Sequence, residues 1–153
     1  MFVNSSLRVQ SGLLVSILCW VALCTQASAE GLSSPAPADA EVYFIEPVAG
    51  ASVPETFVVK FGLRGMGVAP AGVDLENTGH HHLLINAPDI DPSLPLPSSE
   101  QVRHFGKGQT ETLVTLPPGE HLLQLVLGNH LHVPHTPPVT SEVIRVQVRV
   151  DSK

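Results

Sequence analysis

Apolar residues along this chain recur with a period of two in short runs, the pattern of strands that set one face against a core and the other toward water. Residues 56–63 place Phe57, Val59, Phe61 and Leu63 on one side and Val58, Lys60 and Gly62 on the other. Residues 110–116 and 141–150 alternate in the same way, the last with Ile144, Val146, Val148 and Val150 against Val143, Arg145, Gln147 and Arg149. The runs near Val42, residues 80–86, residues 102–105 and residues 120–127 add shorter or more continuously apolar strands. Glycine and proline punctuate the intervals, and no stretch keeps the 3.6-residue apolar period of a helix. About seven short strands with such turns predict an all-β chain, an immunoglobulin-like antiparallel β-sandwich, over residues 41–153 as a single domain.

Residues 1–29 are expected to be removed before that domain matters. Arg8, an apolar stretch from Leu13 to Leu23 and the small residues Ala27-Ser28-Ala29 form a secretory signal with cleavage after Ala29. The apolar stretch is too short to remain as a membrane anchor. The chain is therefore expected in the periplasm or secreted, with no membrane span after cleavage. Residues 30–40 (EGLSSPAPADA) are small, polar and proline-bearing, and are expected to form a flexible N-terminal segment.

Composition narrows the chemistry. Arg8 is the only charge in the signal, so the mature chain is one unit more negative than the −6 of the full sequence, which argues against nucleic acid as a partner. Both cysteines, Cys19 and Cys24, and the single tryptophan, Trp20, also fall in the signal. An exported domain without cysteine has no disulfide, no thiol nucleophile and no thiolate metal ligand. No serine elbow or telling pair of carboxylates is present, so the reading is of a protein that is not an enzyme.

Histidine supplies the candidate chemistry. Three consecutive residues, His80, His81 and His82, enter an apolar run, and His130, His132 and His135 lie downstream. In a sandwich of the expected kind, the start of the 80–86 strand, the segment after His104 and the 130–135 loop gather at one end, with His121 alone at the other. Strand alternation sends His80 and His82 to one side and His81 to the other; if Leu83 and Ile85 face the core, His81 goes inward with them and the other two face out. Neutral imidazole is a common metal ligand, and two pairs spaced by two residues suit zinc or a tetragonal copper(II) site. The expected ligand set is His80, His82, His104, His130, His132 and His135, with His81, Met66 and Glu111 in support and copper or zinc as the ion. Asp74, like Glu111, is able to hold a histidine N–H but reads first as a solvated charge, and His121 is expected to be structural, donating to main chain at a turn.

The runs FGLRGMGVAPAG (residues 61–72), TGHHHLLI (78–85), HFGKGQTET (104–112), LPPGEHLLQLVLGNHLHVPH (116–135) and PPVTSEVIRV (137–146) resemble a family of exported bacterial proteins catalogued as a domain of unknown function, number 4399, some members of which carry a rod shape-determining label. The resemblance implies a periplasmic or secreted single domain with no assigned activity or ligand. Its motifs hold Met66, His80, His81, His82, His104, His130 and His135. The rod-shape label is not carried over, because that role belongs to proteins with several membrane spans. The function expected is metal buffering or delivery in the envelope; the alternative is an envelope binding module for a small anionic ligand or a protein partner, its histidines structural.

Overall fold

A computed structural model describes residues 31–86 and 90–150. The expected signal segment lies outside the described residues. Nine strands occur among them: β1 (Glu41–Glu46), β2 (Ser52–Pro54), β3 (Thr56–Arg64), β4 (Gly67–Val68), β5 (Thr78–Ile85), β6 (Val102–His104), β7 (Glu111–Thr115), β8 (Gly119–Gly128) and β9 (Ile144–Arg149). The protein is all-β, and no helix of the described residues is long and apolar enough to cross a membrane.

One sheet has three strands in the order β1-β3-β7. The other runs β2-β9-β8-β5-β4, with β6 also on β5. Neighbours are antiparallel except β2 with β9 and β4 with β5, which run parallel. Seven strands match the alternating runs. The two additional ones, β2 and β4, are three and two residues long and bear proline or glycine, so they had no periodicity to betray them. Their pairing comes from the strand alongside.

The alternation of β3 and β9 is kept: Phe57, Val59 and Phe61 meet Ile144, Val146 and Val148 in the core between the sheets, joined there by Leu123, Leu125 and Leu127 of β8. Central strand β5 breaks the simple pattern because it is buried on both faces. Leu83 and Ile85 join the main core, while Leu84 turns outward into a second cluster with Val126, Val102 and Leu96. That outer cluster lies under the proline-rich connection after residue 90, which therefore works as a lid over the sheet. Both strand faces being apolar explains why residues 83–85 read as a continuous run.

Two local features fix the C-terminal end of β5. Asn86 adopts a left-handed φ of 55°, a conformation asparagine tolerates better than most residues. Its Nδ2 donates to His121 Nδ1 at 3.1 Å and its Oδ1 accepts from the Leu122 amide at 3.1 Å, so the strand end is tied to β8. His121 in turn donates from Nε2 to the Pro117 carbonyl at 2.8 Å, the structural role expected of it.

The N-terminal segment departs from expectation. Residues expected to be flexible lie against the 134–136 stretch: the Ala36 amide donates to the Thr136 carbonyl at 3.1 Å, the Thr136 amide donates to the Ser34 carbonyl at 2.9 Å, and Ser33 Oγ donates to the Pro134 carbonyl at 2.6 Å. Composition suggested a free tail, but a proline-bearing segment in extended form needs only an unpaired edge to dock on.

Candidate metal centre

Residues two apart on a strand share a face, so His80 and His82 project together from the outer side of β5. Cross-strand register supplies the third ring: His104 of β6 stands opposite His82. On the other flank of β5, His80 is opposite Gly128 and His82 opposite Val126. A Cβ at Gly128 would lie 2.7 Å from His82 Cε1 and 3.1 Å from its Nδ1, so glycine leaves the room that the ring occupies. Gly106 does the same for His104. The fourth ring, His132, comes from the loop after β8, which doubles back so that Pro134 bridges to Gly128.

The four imidazoles form one cluster. Ring centroids are 4.8 Å apart for His80 and His82, 4.9 Å for His80 and His104, 5.0 Å for His80 and His132, and 4.6 Å for His104 and His132. His82 is 5.1 Å from His104 and 6.0 Å from His132. One ring nitrogen each from His80, His104 and His132 lie within 4.8 Å of one another, so this set could hold a metal ion. Imidazole nitrogens on a tetrahedral zinc stand about 3.3 Å apart, so closure would draw these nitrogens together by roughly an ångström.

Expectation placed His80 and His82 on an outward face. They do point away from the main core, but they are 0% and 1% exposed, with the rings of His104 and His132 packed against them on that face. Exposure is graded across the cluster: His132 is half-buried and His104 exposed, leaving one side of the centre toward solvent. Both nitrogens of His80 and both of His82 are buried without any hydrogen-bond partner. A buried unpaired polar atom costs about 1–3 kcal/mol, so such a group calls for an explanation. A metal accepting the lone pairs is one.

His81 turns inward as alternation requires, packing its ring 5.2 Å from Phe61, which itself meets Phe105 at 4.8 Å. Its nitrogens also lack hydrogen bonds, with the Gln109 main chain close enough to favour the charged form somewhat without closing one. It cannot share an ion with neighbours that project from the opposite face.

The structure leaves the remaining expected residues outside the cluster. His130 places Nδ1 3.3 Å from Asp74 Oδ1. Both nitrogens of His135 face main-chain carbonyls, Leu127 at 3.2 Å and Thr78 at 3.2 Å, which occupies the atoms a metal would need. Met66 packs against the main core. Glu111 begins β7 opposite Lys60, in the sheet that carries none of the four rings. Residues that spacing alone had not singled out are Gly128, which clears the cavity, and Asn129, which shapes the His132 loop; a Gly-Asn pair just ahead of His130 and His132 was the available signal.

Burial sets the protonation of the cluster. It holds His80 down to about 4 from an ordinary 6.5, with His104 and His132 adding to the effect, and holds His82 down to about 3 with help from His80, His104 and His132. Burial likewise lowers His81 to about 4, and lowers His104, where His132 contributes as well. The rings of His80, His81, His82 and His104 are therefore neutral at pH 7, the form that ligates. In the metal-free protein the unfolded chain takes up these protons near pH 6.5, whereas the folded chain resists until about pH 4 or below. Between those limits the unfolded state binds more protons, so stability is full above pH 6.5 and falls as the pH drops. Urea midpoints in the presence of chelator should accordingly decline from pH 7 to pH 5, and a midpoint constant over that interval would refute the assignment of buried neutral rings.

A family model described as Domain of unknown function (DUF4399) matches residues 59–149. The chain belongs to that family. The matched segment contains the whole DUF4399 histidine set of this protein, every one of its 8 histidines, and all four rings of the cluster. No curated protein matches the chain. Among solved structures, an endo-beta-1,4-mannanase from Thermotoga petrophila is 18% identical with a TM-score of 0.45; the match covers 74% of this chain and 20% of that one.

Proposed function

We propose that this DUF4399 protein is an exported metal-binding protein that holds copper or zinc between His80, His82, His104 and His132, for buffering or delivery in the periplasm or outside the cell. The observation that carries the reading is the set of four buried, unpartnered nitrogens on His80 and His82, facing two further imidazoles from other elements. Neutral nitrogen donors in a cysteine-free domain suit zinc(II) and copper(II). The exposed edge at His104 supports exchange of the ion with solvent or a recipient protein. The order β1-β3-β7 facing β9-β8-β5, with β2 parallel to β9, supports an immunoglobulin-like arrangement that brings β6 and the His132 loop to one end.

The test is direct. Residues 30–153, purified from the native compartment, should carry zinc or copper by elemental analysis, and the metal-stripped protein should take up one zinc(II) or copper(II) per chain by titration. Failure to bind either ion stoichiometrically rejects the reading. An organic ligand at this end of the native protein, with no metal, would favour the binding-module alternative.

A further inference from the structure

Three rings of the cluster project from paired strands, whose register places them. His132 has no such support, and its backbone sits at a left-handed φ of 68°, which is unfavourable for a residue with a Cβ. Backbone in that region persists only where the surroundings over-determine it. The surroundings are Asn129. Its Oδ1 accepts from the Leu131 amide at 2.9 Å and the Val133 amide at 3.0 Å, the two amides that flank His132. Its main-chain carbonyl accepts from the His132 amide at 2.9 Å, and its own amide donates to the Val133 carbonyl at 2.9 Å. The His132 carbonyl is itself held by the Leu96 amide at 2.9 Å, from the lid.

The other end of the same side chain faces away from the loop. Asn129 Nδ2 donates to the Leu32 carbonyl at 2.8 Å and to Ser34 Oγ at 3.0 Å. Asn129 is 1% exposed, so these bonds form out of reach of competing water. An asparagine amide is the one short side chain that can accept twice on one side and donate twice on the other. Aspartate would keep the acceptors and set a carboxylate against the Leu32 carbonyl; alanine would leave the Leu131 and Val133 amides without partners.

We infer that Asn129 is the positioning residue of the metal centre, holding His132 at the cluster, and that residues 32–36 are a strap that fixes Asn129. The inference rests on the metal reading above. Removal of the strap or of the amide should let the loop relax toward ordinary dihedrals and carry His132 out of the cluster, with the other three rings unmoved.

A double-mutant cycle tests this. Zinc(II) affinity is measured by competition for the unaltered protein, N129A, H132A and the double variant. N129A should weaken binding roughly 10- to 100-fold, the range seen when a residue orienting a metal ligand is lost. In the H132A background the same change should matter less than about twofold, because the ring through which Asn129 acts is gone. Deletion of residues 31–36 should weaken binding in the same direction and be non-additive with N129A; should N129A not fold, this deletion replaces it in the cycle. Metal-free hydrogen exchange gives a second readout: the Leu131 and Val133 amides should exchange faster in N129A or the deletion while those of β5 and β8 keep their protection. Unchanged affinity, or equal losses with and without His132, overturns the positioning role. Absence of zinc binding by the unaltered protein rejects the metal reading instead, and the exchange data still decide whether Asn129 and the strap hold the loop.

Discussion

Replacing His80 and His82 together by alanine is expected to abolish stoichiometric binding of zinc(II) and copper(II), whereas His130→Ala should bind like the unaltered protein. The two removed rings are the buried half of the cluster, and the remaining pair, His104 and His132, belongs to a strand edge and a loop. Two imidazoles at a solvent-facing edge hold an ion no better than surface histidines do elsewhere. His130 has its Nδ1 on Asp74 and lies outside the cluster, so it serves as the control. Isothermal titration of the three proteins checks the expectation. Retention of tight 1:1 binding by the double variant, or its loss in His130→Ala, would move the site elsewhere.

The same substitution made with leucine separates function from stability. In the absence of metal, each buried imidazole leaves both nitrogens unpaired, whereas leucine is apolar and of nearly the same size. His80→Leu/His82→Leu should therefore make the metal-free protein more stable, by about 1–3 kcal/mol on the cost of an unmade buried hydrogen bond, while destroying metal binding. A less stable leucine variant would mean that the rings are satisfied in some other way without metal.

The second large effect concerns the residues next to the cluster. Leu83→Ala and Leu84→Ala should each cost about 2–5 kcal/mol of unfolding free energy in urea titrations, the usual range for a fully buried leucine. Both leucines are 0% exposed, although they point to opposite faces of β5. Leu83→Ala opens a cavity between the sheets. Leu84→Ala opens one beneath the lid, where Leu96 packs and where the Leu96 amide holds the His132 carbonyl. Only the second should also weaken metal binding. Leu113, 65% exposed on β7, supplies the comparison, and Leu113→Ala should change stability by about 0.5 kcal/mol or less. A Leu84→Ala cost as small as that of Leu113→Ala would show that the outer layer is no core.

Part of this was legible in the sequence because strand geometry is local. A period of two fixes which of three consecutive histidines stand together, so His80 and His82 could be paired against His81 before any sheet was known, while which side faced the core waited on Leu83 and Ile85. The all-β class followed from the same alternation in residues 56–63 and 141–150. His121 at a turn, donating to main chain, was also readable, since it sits two residues past the Pro117-Pro118-Gly119 turn.

The topology of a sandwich was enough to gather His104 and His132 with His80 and His82, but placements that depended on loop conformation or on an unforeseen neighbour failed. His130 and His132 have the same spacing as His80 and His82, but they occupy a loop, where alternation does not hold; the left-handed backbone at His132 sends one ring to the cluster and leaves the other beside Asp74. His135 lies in the motif yet finds two carbonyls before it finds an ion. Residues 30–40 have the composition of a free tail, and only the edge offered by residues 134–136 makes part of them a strap.

By itself the sequence determined the strand class, the exclusion of thiolate chemistry from any cysteine-free mature chain, and the shared face of His80 and His82, because each depends on residue type or on spacing of one or two residues. Tertiary structure decided the rest. Burial of Leu84 depends on a lid that starts after residue 90, the third ring on the register of β6 against β5, and the fourth on an asparagine that binds the N-terminal segment nearly a hundred residues away in sequence. Each of these is a contact between distant segments, whose geometry is set when the whole chain packs and not by any local preference along it.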